Sequence, residues 1–426
     1  MKTLAPFPPD YLQSDRWIWH IPSPEVEAAV RKLVLTDDCL VKTTAVRAVY
    51  RVGDFHLKFE RAPSRIGRIR NCFRPKARRE YAIGVDLAKS GVPAVECLGW
   101  GRLYGTNVLI TRTFPGSVPV EEYFYTQVVE GGRDPGEFLA DVTAFLKKFF
   151  DAGFYHGDLH FGNILYQPDT HKMAWVDLIA ISHPGSLTDV DVRKMSRCII
   201  TLRGGLNRAQ MLRLIRDVGA AADDADAETF YFEEVRHAAR HLAETWRKRR
   251  NQILTGYSKF TDVVPCPGNP MKTILLRKDW MSRPILAKED VANGIPAGYE
   301  RFVFDSQSSA RLSAPKEQVD AECAEKLFLT SMCLQILRVK HRRIVAFVRP
   351  NELWLEPLAD GLVQAFPDPE NDPERDFFLK ALDVMGIVVE HKEDVRRLPD
   401  GSFYLPLIEN GVPMTIFPGA TFEGEA

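Results

Sequence analysis

The sequence lacks an unbroken apolar run of the ~18 residues that a membrane-spanning helix needs. Its first residues, MKTLAPFPPDYLQSD, also lack the apolar core of a secretion signal, because three prolines, Asp10 and Asp15 interrupt them. Seven cysteines are present, an odd number without a C-x-x-C pair, which favours neither a disulfide framework nor a zinc site. We therefore expect a cytoplasmic protein.

The chain also lacks a charge excess, an internal repeat and a low-complexity tract. Its 426 residues are 45% hydrophobic and 27% charged, with a formal net charge of −1. This composition is that of a globular protein, and the length suits two or three domains. The balanced charge indicates no particular partner, and we expect no nucleic acid.

The first 260 residues change from a mostly β to a mostly α pattern near residue 120. In 45–60, AVRAVYRVGDFHLKFE predicts two strands joined at Gly53-Asp54, with Lys58 and Leu57 on opposite faces. The stretch KARREYAIGVDLAKSG predicts a helix whose apolar stripe is Tyr81, Val85 and Ala88.

Later segments complete the predicted organisation. DPGEFLADVTAFLKKFFDAG predicts a helix, and helices dominate from 188 to about 255. Residues 262–270, DVVPCPGNP, have the proline and glycine content of a linker. We expect an N-terminal extension at 1–39, one domain at 40–260 and an α+β region of unknown role at 271–426.

The stretch His156–Leu178, HGDLHFGNILYQPDTHKMAWVDL, carries the side chains that phosphoryl transfer requires. Transfer from ATP needs a cation on the phosphates, metal ions to neutralise charge and a carboxylate to accept the hydroxyl proton. Asp158 and Asn163, five residues apart, have the spacing of a catalytic-loop base and a metal-binding amide. Asp177 ends an apolar strand and offers a second carboxylate to Mg²⁺, which prefers oxygen ligands.

Lys58 and Glu80 precede this stretch in the order expected of a phosphate-holding pair. The lysine lies on a predicted strand and the glutamate starts the next predicted helix. Of the two loop histidines, His156 is expected to brace the loop, whereas His160 either contacts substrate or packs.

Together these segments resemble the eukaryotic-type protein-kinase superfamily and, within it, the bacterial lipopolysaccharide-core kinases that act on Kdo or heptose. The resembling stretches span roughly residues 40–255 and are FHLKFE, SRIGRIRNCFRPKARREY, LAKSGVPAVECLGWG, HGDLHFGNIL and VDLIAI. The loop motif is specific for the superfamily, and the basic segment leading to Glu80 points to the family.

The resemblance implies that the domain at 40–260 is kinase-like, with a bilobal α+β fold made of a β-rich N-lobe and a helical C-lobe, and that ATP with Mg²⁺ are its cofactors. It implies that Asp158 is the catalytic base, that Asn163 and Asp177 bind the metal, and that Lys58 and Glu80 hold the phosphates. Two departures are visible: the first hairpin, KTTAVRAVYRVGD, lacks a G-x-G-x-x-G loop, and DLI stands where Asp-Phe-Gly is usual.

The segment after Asp177 bears on the acceptor. About ten residues separate Asp177 from the next predicted helix at Thr188, which is too short for docking a long peptide. We therefore expect a compact sugar or small-molecule hydroxyl as acceptor rather than a protein.

The run Arg61–Arg79 carries eight Lys and Arg residues and no acid. Such a run favours an anionic partner, either a lipid-linked sugar or the inner surface of the membrane, to which the protein would be peripheral. Arg65, Arg68 and Arg70 are the least committed to helix packing, so we expect them to reach this ligand.

Three functions stay open. The first is an ATP-dependent kinase for a lipopolysaccharide-core or similar lipid-linked glycan. The second is a soluble small-molecule kinase resembling aminoglycoside phosphotransferases, which share the HGDLHxGN loop. The third is a pseudokinase-like regulatory protein, which the missing glycine loop suggests but the presence of Lys58, Asp158, Asn163 and Asp177 opposes.

Overall fold

The protein is described from a computed structural model. The structure describes residues 7–62, 64–256, 259–267, 269–279, 282–291, 294–304, 319–360, 363–364, 372–399, 402–409, 412–414 and 416–418. Two compact units make up the chain, Met1–Cys198 and Ile199–Ala426. The expected mixture of helices and antiparallel strands is confirmed. The bilobal arrangement and the domain bounds 1–39, 40–260 and 271–426 stay predictions.

The first unit combines a large sheet with short hairpins and helices. Its strands are β1 (Ile18–His20), β2 (Leu40–Thr43), β3 (Arg47–Val52), β4 (Phe55–Arg61), β5 (Cys97–Leu103), β6 (Thr106–Arg112), β7 (Val118–Pro119), β8 (Tyr155–His156), β9 (Ile164–Gln167), β10 (Lys172–Trp175) and β11 (Ile181–Ser182). Its helices are α1 (Pro24–Arg31), α2 (Arg65–Phe73), α3 (Lys76–Lys89), α4 (Val120–Tyr123), α5 (Gly136–Asp151) and α6 (Asp189–Ser196).

The large sheet has one apolar and one partly charged face. Its six antiparallel strands have the order β1-β5-β6-β4-β3-β2. Because side chains alternate along a strand, Leu57 and Phe59 of β4 enter the core while Lys58 lies on the opposite face. Residues from the segment 7–39 complete this core, namely Phe7, Leu12, Trp17, Ile21, Val30 and Leu35. The expected N-terminal extension thus supplies both core residues and the edge strand β1.

Helix α3 packs over β5 and β6, where Ala77 contacts Trp100 and Leu109. The prediction of its buried stripe was wrong: the buried positions are Ala77, Glu80, Gly84 and Leu87, and none of Tyr81, Val85 and Ala88 is fully buried. The reason is that the carboxylate of Glu80 faces inwards, where Lys58 compensates its charge. A Cβ at Gly84 would meet Cys97 and Leu178, so glycine permits this close approach.

The candidate loop is held between two short strand pairs. Strand β9 pairs with β10, and β8 pairs with β11. The predicted helix start at Thr188 is confirmed, because Thr188 and Asp191 form a reciprocal capping box at α6. The segment between Asp177 and α6 is therefore short and fixed at both ends.

The second unit has its own sheet and helices. The helices are α7 (Arg208–Asp217), α8 (Asp224–Thr255), α9 (Val319–Ile336) and α10 (Pro373–Val384). The strands are β12 (Thr261–Cys266), β13 (Asn269–Arg277), β14 (Glu300–Val303), β15 (Ile344–Val348), β16 (Glu352–Leu355), β17 (Val363–Gln364), β18 (Ile387–Val389), β19 (Arg396–Arg397), β20 (Phe403–Tyr404), β21 (Ile408–Glu409), β22 (Val412–Pro413) and β23 (Ile416–Pro418). Strands β12 to β16 contribute to a five-stranded antiparallel sheet.

The linker predicted at 262–270 was wrong, because most of this stretch belongs to the paired strands β12 and β13. Strand β12 is at the edge of its sheet, where Pro265 does not interrupt an internal ladder. In the part of the chain that the structure describes, no helix is long and apolar enough to span a bilayer.

Candidate active site

Lys58 joins two other predicted site residues, Glu80 and Asp177. Its Nζ lies 2.7 Å from Oε1 and 3.0 Å from Oε2 of Glu80, and 2.7 Å from Oδ1 of Asp177. The strand β4, the helix α3 and the chain after β10 each supply one member. Two carboxylates and one ammonium thus meet in a largely buried cluster on the charged face of the sheet.

The backbone after β10 is fixed against the same cluster. The N–H of Leu178 donates to Oε1 of Glu80 at 3.1 Å. Asp177 itself has the left-handed conformation, with φ 52° and ψ 56°. For a residue with a Cβ this conformation costs on the order of 1 kcal/mol, and such strain is concentrated at functional sites.

Burial and neighbouring charges act differently on the two carboxylates. Burial raises the pKa of Glu80 above its ordinary value, and the ammonium of Lys58 offsets only part of this effect. Burial alone would also raise the pKa of Asp177, but Lys58 and Arg47 hold it below its ordinary value. Asp177 is therefore the stable anion of the pair, as a cation-binding carboxylate must be.

Asn163 and Asp158 are connected within the loop. The Nδ2 of Asn163 donates to the backbone carbonyl of Asp158 at 3.1 Å. The carbonyl of Asn163 accepts from the N–H of Val176 at 2.9 Å, which links the loop to the residue before Asp177. Asp158 is exposed, so its carboxylate is accessible to a reactant.

His156 stabilises the conformation of this loop. It is buried, and its Nδ1 accepts from the backbone N–H of Asp158 at 3.1 Å. Burial lowers the pKa of His156 to about 4, so the ring is neutral at pH 7. A neutral ring that accepts at Nδ1 carries its proton on Nε2, which fits a structural role better than a proton-transfer role.

Arg47 is a site residue that the sequence reasoning missed. Its Nη1 lies 3.2 Å from Oδ2 of Asp177, and its Nη2 lies 2.9 Å from Oε1 of Glu60. The signal was available in the strand alternation: Arg47 pairs with Glu60 in the β3–β4 register, two residues along from Lys58 and hence on the same face.

The remaining predicted residues are less constrained. His160 is exposed, and its ring lies beside Gly162, where an added Cβ would be 3.0 Å from Nδ1 of the ring. Arg68 lies against the turn between β5 and β6, where the stem of its side chain approaches Gly105. The side chains of Arg65 and Arg70 lie outside the described part of the structure, so their substrate role stays a prediction.

The donor set fits a magnesium ion. In Asn163 the amide nitrogen is committed to Asp158, which leaves the amide oxygen as the atom available to a metal. Asp177 contributes a half-buried anionic carboxylate. Mg²⁺ is commonly held by one or two such protein oxygens, with water and substrate phosphates completing the octahedron. Among the described residues, no cluster of three or more His, Cys, Asp and Glu side chains suits a metal site made entirely from protein.

No family model and no curated protein sequence matches the chain. Among solved structures, WaaP in complex with acyl carrier protein is 17% identical with a TM-score of 0.32, over 45% of this chain and 88% of WaaP. The bifunctional kinase-methyltransferase WbdD is 15% identical with a TM-score of 0.31, over 45% of this chain and 42% of WbdD. At TM-scores this low, neither establishes the fold of the whole chain or its function.

Proposed function

We propose that the protein is an ATP-dependent kinase that phosphorylates a sugar hydroxyl on a lipopolysaccharide-core or similar lipid-linked glycan. The observation that carries this proposal is the bridge from Lys58 to both Glu80 and Asp177. A lysine that is held by a helix glutamate and also reaches a strained, anionic aspartate is the arrangement that positions phosphates beside a metal.

Each residue has a defined task in the proposed reaction. Lys58, positioned by Glu80, binds the nucleotide phosphates, while Asn163 and Asp177 would hold Mg²⁺. The metal supplies neutralisation of the charge that develops on the transferred group. Asp158 orients the acceptor hydroxyl and takes its proton as the oxygen bonds to the γ-phosphorus and the bond to ADP breaks.

Arg47 is proposed to contact the phosphates in place of the missing glycine-rich loop. The turn between β2 and β3 is closed by Thr44, whose Oγ1 accepts from the N–H of Arg47 at 3.1 Å. The guanidinium then extends from the start of β3 to Asp177. We propose that Arg47 contacts the phosphates when nucleotide is bound, because a planar guanidinium is suited to two phosphate oxygens.

The acceptor is proposed to be compact and carried by an anionic molecule. The pairing of β11 with β8 and the capping box at Thr188 keep the segment after Asp177 short, which supports a small hydroxyl over a peptide. The basic run Arg61–Arg79 supports an anionic carrier and contact with an anionic membrane surface.

Nucleotide binding is the first test. Calorimetry should show Mg²⁺-dependent ATP binding to the wild type and its loss in Asp177→Ala. Asp189→Ala, a change at an exposed aspartate at the start of α6, should bind like the wild type. If the wild type binds no ATP, the kinase proposal fails and the pseudokinase-like alternative without nucleotide is favoured. If Asp177→Ala binds Mg-ATP unchanged, the metal assignment fails.

Turnover is the second test. Asp158→Asn should lower turnover by roughly 10²–10⁴-fold with ATP affinity nearly unchanged, because it removes the proton acceptor. Neutralising Arg65, Arg68 and Arg70 together should raise the KM for an anionic glycan and leave the KM for ATP unchanged. A preference for a free cationic acceptor would instead favour the soluble phosphotransferase.

A further inference from the structure

Helix α2 exposes an apolar stripe. The side chains of Ile66, Ile69 and Phe73 are 81%, 56% and 78% exposed. Their spacing of three and four residues places them on one face of the helix. Tyr104, in the turn that contacts Arg68, is also 77% exposed. Large apolar side chains grouped in this way are uncommon on a solvated surface and indicate a binding face.

The surroundings of this stripe are cationic. Helix α2 lies inside the run Arg61–Arg79, which has no acidic residue. Among the described residues of the run, Lys76 lies 3.5 Å from Glu60, and the guanidinium of Arg61 lies over the ring of Phe7. A helix with apolar residues on one face and arginines elsewhere has the composition of a segment that lies in a membrane interface.

A basic groove continues from the end of the stripe. It has a volume of about 880 Å³, and Phe73 forms part of its wall. Its cationic lining residues are Arg78, Arg79, Lys89 and Arg102. The carboxylate in the lining belongs to Asp86, whose Oδ2 lies 2.9 Å from Nδ1 of His183. The groove therefore presents mainly positive charge.

The titration of a neighbouring group is consistent with this charge. Burial lowers the pKa of His20 below its ordinary value, and the charges of Arg102 and Arg78 lower it further. His20 also lines the groove and stacks on Trp100 at 4.0 Å. The positive charge of the groove favours the binding of anions. Part of the groove wall is aromatic.

We propose that α2 docks the protein onto an anionic lipid bilayer, with Ile66, Ile69 and Phe73 entering the boundary between headgroups and acyl chains. The groove beside Phe73 faces the lipid phosphates. Cations near an anionic surface and a shallowly inserted apolar stripe act together, because each alone gives only weak attachment. This proposal rests on the membrane contact of the proposed function and names the surface that makes it, and it is tested without reference to catalysis.

The experiment compares cosedimentation of the full chain with vesicles of phosphatidylcholine alone and with phosphatidylglycerol included. The wild type should bind the anionic vesicles preferentially. Ile66→Ser/Ile69→Ser/Phe73→Ser should bind them more weakly by a factor of more than ~10. A tenfold change in affinity corresponds to the burial of only about two methylene groups, and the triple variant removes more apolar surface than that. Phe73→Trp should retain binding, because tryptophan suits the interface.

A control variant removes exposed apolar residues elsewhere. Val34→Ser/Val190→Ser/Val388→Ser changes side chains that are 47%, 73% and 40% exposed. It should bind vesicles within about twofold of the wild type. The proposal is overturned if the wild type ignores anionic vesicles, if it binds phosphatidylcholine equally, or if the stripe variant binds like the control. Failure of the kinase assays would leave this measurement unaffected, so the two failures are distinguishable.

Discussion

Replacing Lys58 with methionine tests the central ion cluster. Oε1 of Glu80 and Oδ1 of Asp177 each lie 2.7 Å from Nζ, so the two oxygens are at most ~5.4 Å apart, twice that distance. Two negative charges at this separation repel by ~3 kcal/mol at an effective dielectric constant of ~20. In the wild type the ammonium of Lys58 offsets this repulsion, and removing one partner of a buried ion pair costs about 3–5 kcal/mol, so the free energy of unfolding should fall by about that amount when both carboxylates are ionised.

The loss should depend on pH. Burial already raises the pKa of Glu80, and removal of Lys58 raises it further above its value in the unfolded chain. The folded protein then keeps a proton that the unfolded chain releases, so stability falls as pH rises through this range. Lys58→Met should therefore be most destabilised at alkaline pH and should regain stability as the pH falls towards the ordinary pKa of a glutamate.

Urea denaturation of the wild type, Lys58→Met and Lys58→Met/Glu80→Gln across this pH range measures the effect. The second substitution removes one of the two negative charges, so it should restore most of the stability and flatten the pH dependence. A loss of equal size at every pH, or the absence of rescue by Glu80→Gln, would refute the reasoning.

Three further predictions concern neighbouring positions. Arg47→Met should weaken Mg-ATP binding, measured by calorimetry, because Asp177 and the phosphates lose a cation. The control Arg51→Met, a change on the same strand face, should not weaken it. Equal affinity in both variants would contradict the role of Arg47. Gly84→Ala should lower the free energy of unfolding, measured by thermal denaturation, by ~1–3 kcal/mol, because the added Cβ would meet the side chain of Cys97. Combining it with Cys97→Ala should restore part of this loss. The pKa of His156 is about 4 against an ordinary 6.5, so as the pH is lowered the unfolded chain takes up a proton before the folded protein does. The free energy of unfolding should therefore fall by up to ~3 kcal/mol as the pH is lowered from about 6.5 to 4. In urea denaturation, the stability of His156→Asn should not show this pH-dependent loss.

The sequence was informative where a local pattern determines the structure. The strand alternation around Lys58, the loop from His156 to Asn163 and the helix start at Thr188 all follow from short-range preferences, and each is present in the structure. The stripe of α3 was misassigned because hydrophobic periodicity treats Glu80 as a solvent-facing residue. Its burial depends on a lysine 22 positions earlier, which is a tertiary effect.

The other discrepancies also arise from long-range pairing. Pro265 signals a break in the chain, but an edge strand tolerates it, so the stretch 262–270 pairs as part of a sheet. Arg47 carries no motif of its own, and its contact with Asp177 spans 130 positions. The register of β3 against β4, which the two-residue turn at Gly53-Asp54 sets, places it beside Lys58, but nothing in that register indicates the contact with Asp177.

Helix α3 has a consequence for how ligands influence one another. Its inward face carries Glu80, and its outer positions, including Arg78, Ala82 and Lys89, line the basic groove. If occupancy of the groove shifts the helix and changes nucleotide affinity by some factor, thermodynamic linkage requires nucleotide to change affinity at the groove by the same factor. The two faces of one 14-residue helix would then form a reciprocal allosteric pair.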